Sequence, residues 1–144
     1  MRKGIAMTTT ATLTVQISRT WRDVYRFVAD PATMPQWAIH NVRAIRPLGG
    51  GAWEIETPRG AGRLIPSFEE AHGILDHAFV DPREGRWDVP ARVVPVGANA
   101  CVYMITLAKP EAMPEEAFVQ GMPLVQEELQ TMKKILEGDP KAAG

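Results

Sequence analysis

Several things are scarce in this 144-residue chain, and each shortage excludes a class of protein. Cys101 is the single cysteine, so the chain can form neither an internal disulfide nor a cysteine-rich zinc site. A reducing, cytoplasmic setting is therefore expected. The longest uncharged stretch, residues 93–108, is shorter than the ~20 apolar residues of a membrane helix and contains proline and glycine. We expect no insertion into a membrane.

An excess of either charge is also missing, since 16 Lys and Arg face 17 Asp and Glu for a net charge of −1. Nucleic-acid-binding domains usually carry a basic excess. The glycine run at 49–51 lacks the Lys-Ser/Thr and the helix that follow in a phosphate-binding loop. His40, His72 and His77 match no metal-ligand spacing. Nucleic acid, metal ions and cofactors are thus not expected.

The middle of the chain is β-like and lies between helical ends. Residues 12–17 alternate between apolar and polar, and a helix follows that Thr20 or Ser18 can cap. Asp30-Pro31 ends this helix and opens a second, shorter one. Runs separated by glycine and proline then predict about six strands. One of them contains Pro66, which indicates an edge or bulged strand.

The strongest periodic signal is near the C-terminus. Apolar side chains recur every three or four residues from Phe118 to Leu136, which predicts a long amphipathic helix. Gly121 and Pro123 within it predict a kink or a break. Grouped strands with segregated helices indicate an α+β domain with an antiparallel sheet. We place this domain at residues 10–138, between tails at 1–9 and 139–144.

Three pieces of sequence, taken in order, carry a family likeness. The first is Val-Tyr-Arg-Phe-Val-Ala-Asp-Pro at 24–31, followed by Trp37. The second is Leu-Asp-His at 75–77 with Pro-Ala-Arg-Val at 90–93, and the third is the end of the C-terminal helix at 129–137. Together they resemble the START-like (SRPBCC) superfamily and, within it, the polyketide cyclase/dehydrase-type proteins.

The resemblance implies a helix-grip fold, in which a curved antiparallel sheet wraps around the C-terminal helix and leaves a cavity. Family members commonly hold apolar or amphipathic small molecules, lipids included. Our first hypothesis is therefore binding of an apolar or aromatic small molecule in that cavity. The first alternative is a cyclase/dehydrase or aromatase-type enzyme that acts on a polyketide-like ligand by acid–base catalysis. The second is a protein-interaction module, such as a homodimer, with a filled interior and an exposed apolar patch.

Asp76 and His77 are candidates for polar anchors or for a catalytic acid or base, with Arg92 beside them. They are adjacent on a predicted strand, so only one of them can face the cavity. Symmetric pairing of their hairpin would turn Asp76 inward with Trp87, and a slip of one residue reverses this. The competing interpretation is a cross-strand ion pair, Asp76 or Asp88 with Arg92, that holds the register of the sheet.

Large side chains on the inner face of the sheet would form the walls of the cavity, where lining and core are one surface. Those expected to contact the ligand are Trp37, Trp53, Trp87, Tyr103 and Met122. Movement at residues 121–123 would open the cavity. Cys101 is interpreted as a buried, unreactive thiol within a strand.

Overall fold

The structure is a computed structural model that describes residues 8–138. The predicted tails lie outside these residues, except for Thr8 and Thr9. In chain order the elements are β1 (Thr10–Ile17), α1 (Trp21–Val28), a 3₁₀ turn (Pro31–Thr33), α2 (Met34–Trp37), β2 (Ala44–Gly49), β3 (Ala52–Thr57), β4 (Gly60–Glu69), a 3₁₀ turn (Glu70–His72), β5 (Ile74–Asp81), β6 (Gly85–Val89), β7 (Ala91–Pro95), β8 (Cys101–Ala108) and α3 (Glu115–Gly138).

The strands form one antiparallel sheet in the order β1-β8-β7-β5-β4-β3-β2, and β6 pairs with β5. β1 and β2 are therefore the two edges of the sheet. The long helix α3 packs beside β1, and the short helix α2 packs against α3. A curved antiparallel sheet around a long C-terminal helix confirms the predicted α+β helix-grip architecture.

Helix α1 forms as its sequence predicts. The Thr20 hydroxyl accepts a hydrogen bond from the backbone N–H of Asp23 at 3.2 Å, so Thr20 is the N-cap. Val24 and Phe27 lie on the buried face of the helix. After it, the Asp30 carboxylate accepts from the N–H of Ala32 and starts the following turn. Local capping therefore sets both ends of this connection.

Helix α3 runs unbroken from Glu115 to Gly138 with Pro123 inside it, so the predicted break does not occur. Pro123 removes the hydrogen bond that would reach the carbonyl of Val119. Both residues are exposed, so water can satisfy that carbonyl. The far half of the helix is held to β1, because Lys133 Nζ donates to the carbonyl of Gln16 at 2.7 Å.

Pro66 lies at a local edge of the sheet, as the sequence predicts, although β4 as a whole is an interior strand. The β3–β4 ladder ends at the pair of Trp53 and Leu64, so Pro66 has a strand partner on one side only, where it is opposite His77. The register with β5 is continuous from Arg63 to Glu69, so the strand is not bulged there. On the β3 side a proline has no ladder hydrogen bond to lose.

The expectation that Asp76 turns inward with Trp87 is wrong. The hairpin of β5 and β6 is symmetric about its loop, which closes on the pair of Asp81 and Gly85. His77 therefore pairs with Val89 and Phe79 with Trp87, so odd-numbered residues of both strands share one face. That face lines the cavity described below, and Asp76 is on the other one.

Gly73 is at a position that requires glycine. Its φ is +66°, and an added Cβ would lie 2.5 Å from the carbonyl oxygen of Val93. Replacing Gly73 with alanine is expected to lower the free energy of unfolding by about 1–3 kcal/mol, measured by urea denaturation. Gly97→Ala is the control, because its φ of +68° is similar but nothing lies within 4 Å of the added atom. Equal losses for the two variants would show that the close approach to Val93 is unimportant.

Candidate functional site

A cavity of about 120 Å³ lies between α3 and the inner face of the sheet. Its lining is mostly apolar and comes from five parts of the chain. These residues are Met34, Trp37, Ala38, Asn41 and Val42 from α2 and the loop after it; His77 and Phe79 from β5; Glu84, Trp87 and Val89 from β6 and the loop before it; Tyr103, Ile105 and Leu107 from β8; and Met122, Val125, Glu128 and Leu129 from α3.

A smaller cavity of about 20 Å³ shares part of this lining. Both cavities are bounded by Met34, Trp37, His77 and Tyr103. These four side chains therefore separate the two spaces, and their rotation would change the size of each.

Most of the predicted ligand-binding residues line the larger cavity, and three do not. Those on its wall are Trp37, His77, Trp87, Tyr103 and Met122. Trp53 is half-buried on β3, where it packs against the core. Asp76 and Arg92 are also absent from the lining of both cavities.

Asp76 and Arg92 form an ion pair on the other face of the sheet. Both side chains are about two-fifths exposed, at 38% and 40%. The same Asp76 oxygen also accepts from the backbone N–H of Ala91 at 2.9 Å. The contact joins β5 to the start of β7, which is the geometry expected of a pair that holds register.

His77 is the one member of the predicted polar group that reaches the cavity. Its Nδ1 is 2.9 Å from the carbonyl oxygen of Leu75. A carbonyl can only accept, so Nδ1 carries the proton and Nε2 keeps a free lone pair. Burial lowers the pKa of His77, which keeps the ring neutral at pH 7.

One polar atom of the wall is buried without a partner in the described part of the chain. Trp37 Nε1 is fully buried and donates to nothing in residues 8–138. Tyr103 is also buried on this wall, and burial raises the pKa of its phenol. Buried polar groups are nearly always paired in folded proteins, so the unpaired indole N–H requires an explanation.

Glu128 is a site residue that the sequence reasoning missed. It is 4% exposed on α3 and lines the cavity. One carboxylate oxygen accepts from the backbone N–H of His40 at 2.9 Å, and Asn41 Nδ2 lies 3.1 and 3.2 Å from the two oxygens. Burial raises the pKa of Glu128, and these hydrogen bonds oppose the rise. The sequence feature that could have identified Glu128 as a site residue is its position on the apolar face of the helix, three residues after Val125.

A chain of polar contacts leads from Glu128 to the β5–β6 loop. Arg59 donates from one nitrogen to Asn41 Oδ1 at 3.0 Å and from Nε to Asp81 Oδ2 at 2.6 Å. Its Nε is also 3.7 Å from a carboxylate oxygen of Glu84. The acidic residues of the cavity wall are thus joined through the side chains of Asn41 and Arg59, which fixes both sides of the site relative to each other.

Aromatic side chains close the site near the start of α3. The rings of Trp87 and Phe118 stack with centroids 6.0 Å apart and planes 18° from parallel. Met122 lies one turn further along the helix and lines the cavity. The first half of α3 therefore contacts the sheet through apolar side chains that a ligand could displace.

Cys101 faces the core, and we predict that it does not react in the native state. It is completely buried on β8, and burial raises the pKa of its thiol to about 11. Its alkylation by iodoacetamide is expected to be at least about 100-fold slower in the native protein than in the urea-unfolded chain. A native rate close to the unfolded rate would contradict the buried placement.

Within residues 8–138, no three His, Cys, Asp or Glu side chains are grouped as metal ligands would be. In the same range, no helix has both the length and the apolar character needed to cross a membrane.

Comparison with known proteins places the fold. No protein-family model matches the sequence, and no curated protein matches it. Solved structures do match: XoxI from Bacillus cereus superimposes with a TM-score of 0.74 at 14% identity, covering 92% of this chain and 97% of that one. A START superfamily protein from Mycobacterium smegmatis gives 0.66 at 16%, covering 94% and 99%. The Zhui aromatase/cyclase from a Streptomyces species gives 0.67 at 12%, covering 95% and 92%. The chain has the START-like helix-grip fold.

Proposed function

We propose that the protein binds a small, mostly apolar molecule with a polar end in the cavity between α3 and the sheet. The observation that carries this is the combination of an apolar cavity of about 120 Å³ with Trp37 Nε1, a buried donor of its wall that has no partner within residues 8–138. An engineered apolar cavity of about 150 Å³ binds benzene, so the space suits a ligand of about one aromatic ring.

Polar atoms of three wall residues can supply the few polar contacts that such sites use to orient a ligand. His77 Nε2 accepts a hydrogen bond, Trp37 Nε1 donates one, and the Tyr103 hydroxyl does either. All three residues bound both cavities, so they lie at the inner end of the larger one. A ligand whose polar end lies there and whose ring lies against Trp87 and Met122 would satisfy them.

The experiment is calorimetric titration and thermal unfolding with toluene, indole and phenethyl alcohol. At a concentration of roughly 100 times Kd, a ligand stabilises the folded state by about 2.7 kcal/mol, which raises Tm measurably. Val89→Phe fills the cavity from β6 and is expected to abolish both responses. Val102→Phe is the matched control on the outer face of β8, and it is expected to leave them unchanged.

The proposal fails if none of these molecules binds, or if Val89→Phe binds them as well as the unaltered protein does. The interaction-module alternative predicts a filled interior, and the cavity within residues 8–138 supports ligand binding instead.

A second candidate function is proton transfer on the bound ligand, and the state of His77 favours it. A neutral imidazole with Nδ1–H held by a carbonyl presents Nε2 as a base toward the cavity. An aromatase/cyclase is among the structural neighbours, although identity is only 12%.

Deuterium exchange of benzyl methyl ketone in deuterium oxide, followed by NMR, tests this second function. The protein is expected to accelerate exchange beside the carbonyl by about a hundredfold, and His77→Gln to remove that acceleration. His72→Gln is the control, because His72 is exposed and is not among the residues that line either cavity. Exchange that His77→Gln leaves unchanged would exclude His77 as the base.

A further inference from the structure

We propose that the ligand is an amine, and that its ammonium group binds the Glu128 carboxylate at one side of the apolar cavity. This inference rests on the proposed function and adds the charge of the ligand to it. It comes from the charged side chains that line the cavity, which are acidic and not basic.

Acidic groups line the cavity and basic groups do not. Glu84 and Glu128 are on its wall, and no lysine or arginine of residues 8–138 is. His77 is neutral, so it contributes no positive charge. Arg59 is not on the wall; it donates to Asp81 and Asn41 and lies 3.7 Å from Glu84, so Glu84 has a cationic partner. Glu128 is therefore the acidic group of the wall without a cation beside it, and the apolar walls strengthen its attraction for one.

Glu128 has no full cationic partner. Its hydrogen-bond donors are the backbone N–H of His40 and the side-chain amide of Asn41, both neutral. The Nε2 of the His40 ring is 3.2 Å from a carboxylate oxygen of the exposed Glu127. Glu128 Oε2 accepts from two donors, whereas Oε1 accepts only from Asn41 Nδ2 and so keeps a lone pair that its present donor does not use.

A buried carboxylate without a cation is costly, and the cost falls when an opposite charge arrives. An ammonium group would supply that charge and up to three donors. A carboxylate or phosphate ligand would instead place like charges together in a low-dielectric space. The rings of Trp37, Phe79, Trp87 and Tyr103 suit both an aromatic body and a cation close to their faces.

The experiment compares three ligands of nearly equal shape by calorimetry: phenethylamine, phenethyl alcohol and phenylacetate. We expect the amine to bind about tenfold or more tightly than the alcohol, and phenylacetate to bind least. As the pH falls through the raised pKa of Glu128, affinity for the amine should weaken while affinity for the alcohol stays constant. Glu84, Glu127 and His40 are further ionisable side chains around this site, so a variant must assign the effect to Glu128.

Glu128→Gln is that variant. Its side-chain oxygen still accepts from His40 N–H, and loss of a buried charge should leave Tm equal or higher, so folding is preserved. Amine and alcohol should then bind within about twofold of each other, and the pH dependence should disappear. Glu127→Gln is the matched control, since it removes the neighbouring carboxylate, which is 58% exposed, and should keep the preference for the amine.

The outcomes separate the two proposals. If the alcohol binds as tightly as the amine, or if Glu128→Gln keeps the preference, the amine inference is wrong and binding of small apolar molecules stands. If phenylacetate binds best, the inference is also wrong. If none of the three ligands binds, both proposals fail.

Discussion

Replacing Asp81 with alanine is expected to lower the free energy of unfolding by about 3–5 kcal/mol, the loss typical of breaking a buried ion pair. The Asp81 side chain is completely buried and serves two structures at once. One oxygen accepts from the backbone N–H groups of Arg83 and Glu84, each at 2.8 Å, which shapes the β5–β6 loop. The other accepts from Arg59 Nε at 2.6 Å, which holds the link to Asn41.

Urea denaturation measures this loss, and Asp88→Ala is the control. Asp88 is on the same hairpin and pairs with Arg86, but its side chain is 75% exposed. An exposed pair contributes about 0–1 kcal/mol, so Asp88→Ala should be nearly neutral. Similar losses for the two variants would show that burial and the loop contacts of Asp81 carry no special weight.

The pH dependence of stability gives an independent check on Asp81. Burial raises the pKa of Asp81. The backbone N–H groups of Glu84 and Arg83 and the guanidinium of Arg59 together lower it by more than burial raises it, so the pKa lies below its ordinary value. As the pH falls, Asp81 is therefore protonated in the unfolded chain before it is protonated in the folded protein. The contribution of the Asp81 carboxylate to the free energy of unfolding is lost below about pH 4. Asp81→Asn should show a shallower loss of stability than the unaltered protein in that range. Parallel curves would contradict the assignment.

Replacing Leu129 with alanine is expected to cost about 2–5 kcal/mol of unfolding free energy and to enlarge the cavity. Leu129 is completely buried on α3 and lines the cavity. The space left by its side chain joins an existing void, so the surrounding residues cannot easily collapse into it. We expect naphthalene, which has two rings, to raise the Tm of this variant more than that of the unaltered protein.

Leu136→Ala separates the two effects. Leu136 is also completely buried on α3, but it does not line the cavity. Its loss should reduce stability by about 2–5 kcal/mol without improving the response to naphthalene. If both variants respond equally to naphthalene, the cavity does not extend to Leu129 in solution.

Features that depend on neighbours in the chain could be predicted well from sequence. The cap at Thr20 needs only a hydroxyl three residues before an N–H, and α3 needs only its apolar repeat. The alternation of residues 101–108 likewise predicts β8, whose side chains are buried at every second position. These elements, grouped as they are in the sequence, are sufficient for an α+β helix-grip prediction.

Features that depend on residues far apart in the chain were predicted less well. Pro123 indicated a kink or a break, and the break does not occur: α3 continues through it, with its far half anchored to β1. The tertiary contacts of the helix outweigh the local cost of the proline.

The same distinction between local and long-range features applies to the residues of the site. By itself the sequence determined the kinds of residue available to the site: tryptophans and methionines for its walls and a Leu-Asp-His strand for its polar group. Tertiary structure alone decided which of them meet, because one residue of register in the β5–β6 hairpin puts His77 inside and Asp76 outside. It also brought Glu128 to Asn41, 87 positions apart in the chain. Such pairings depend on how the sheet and α3 pack as a whole, which no local pattern encodes.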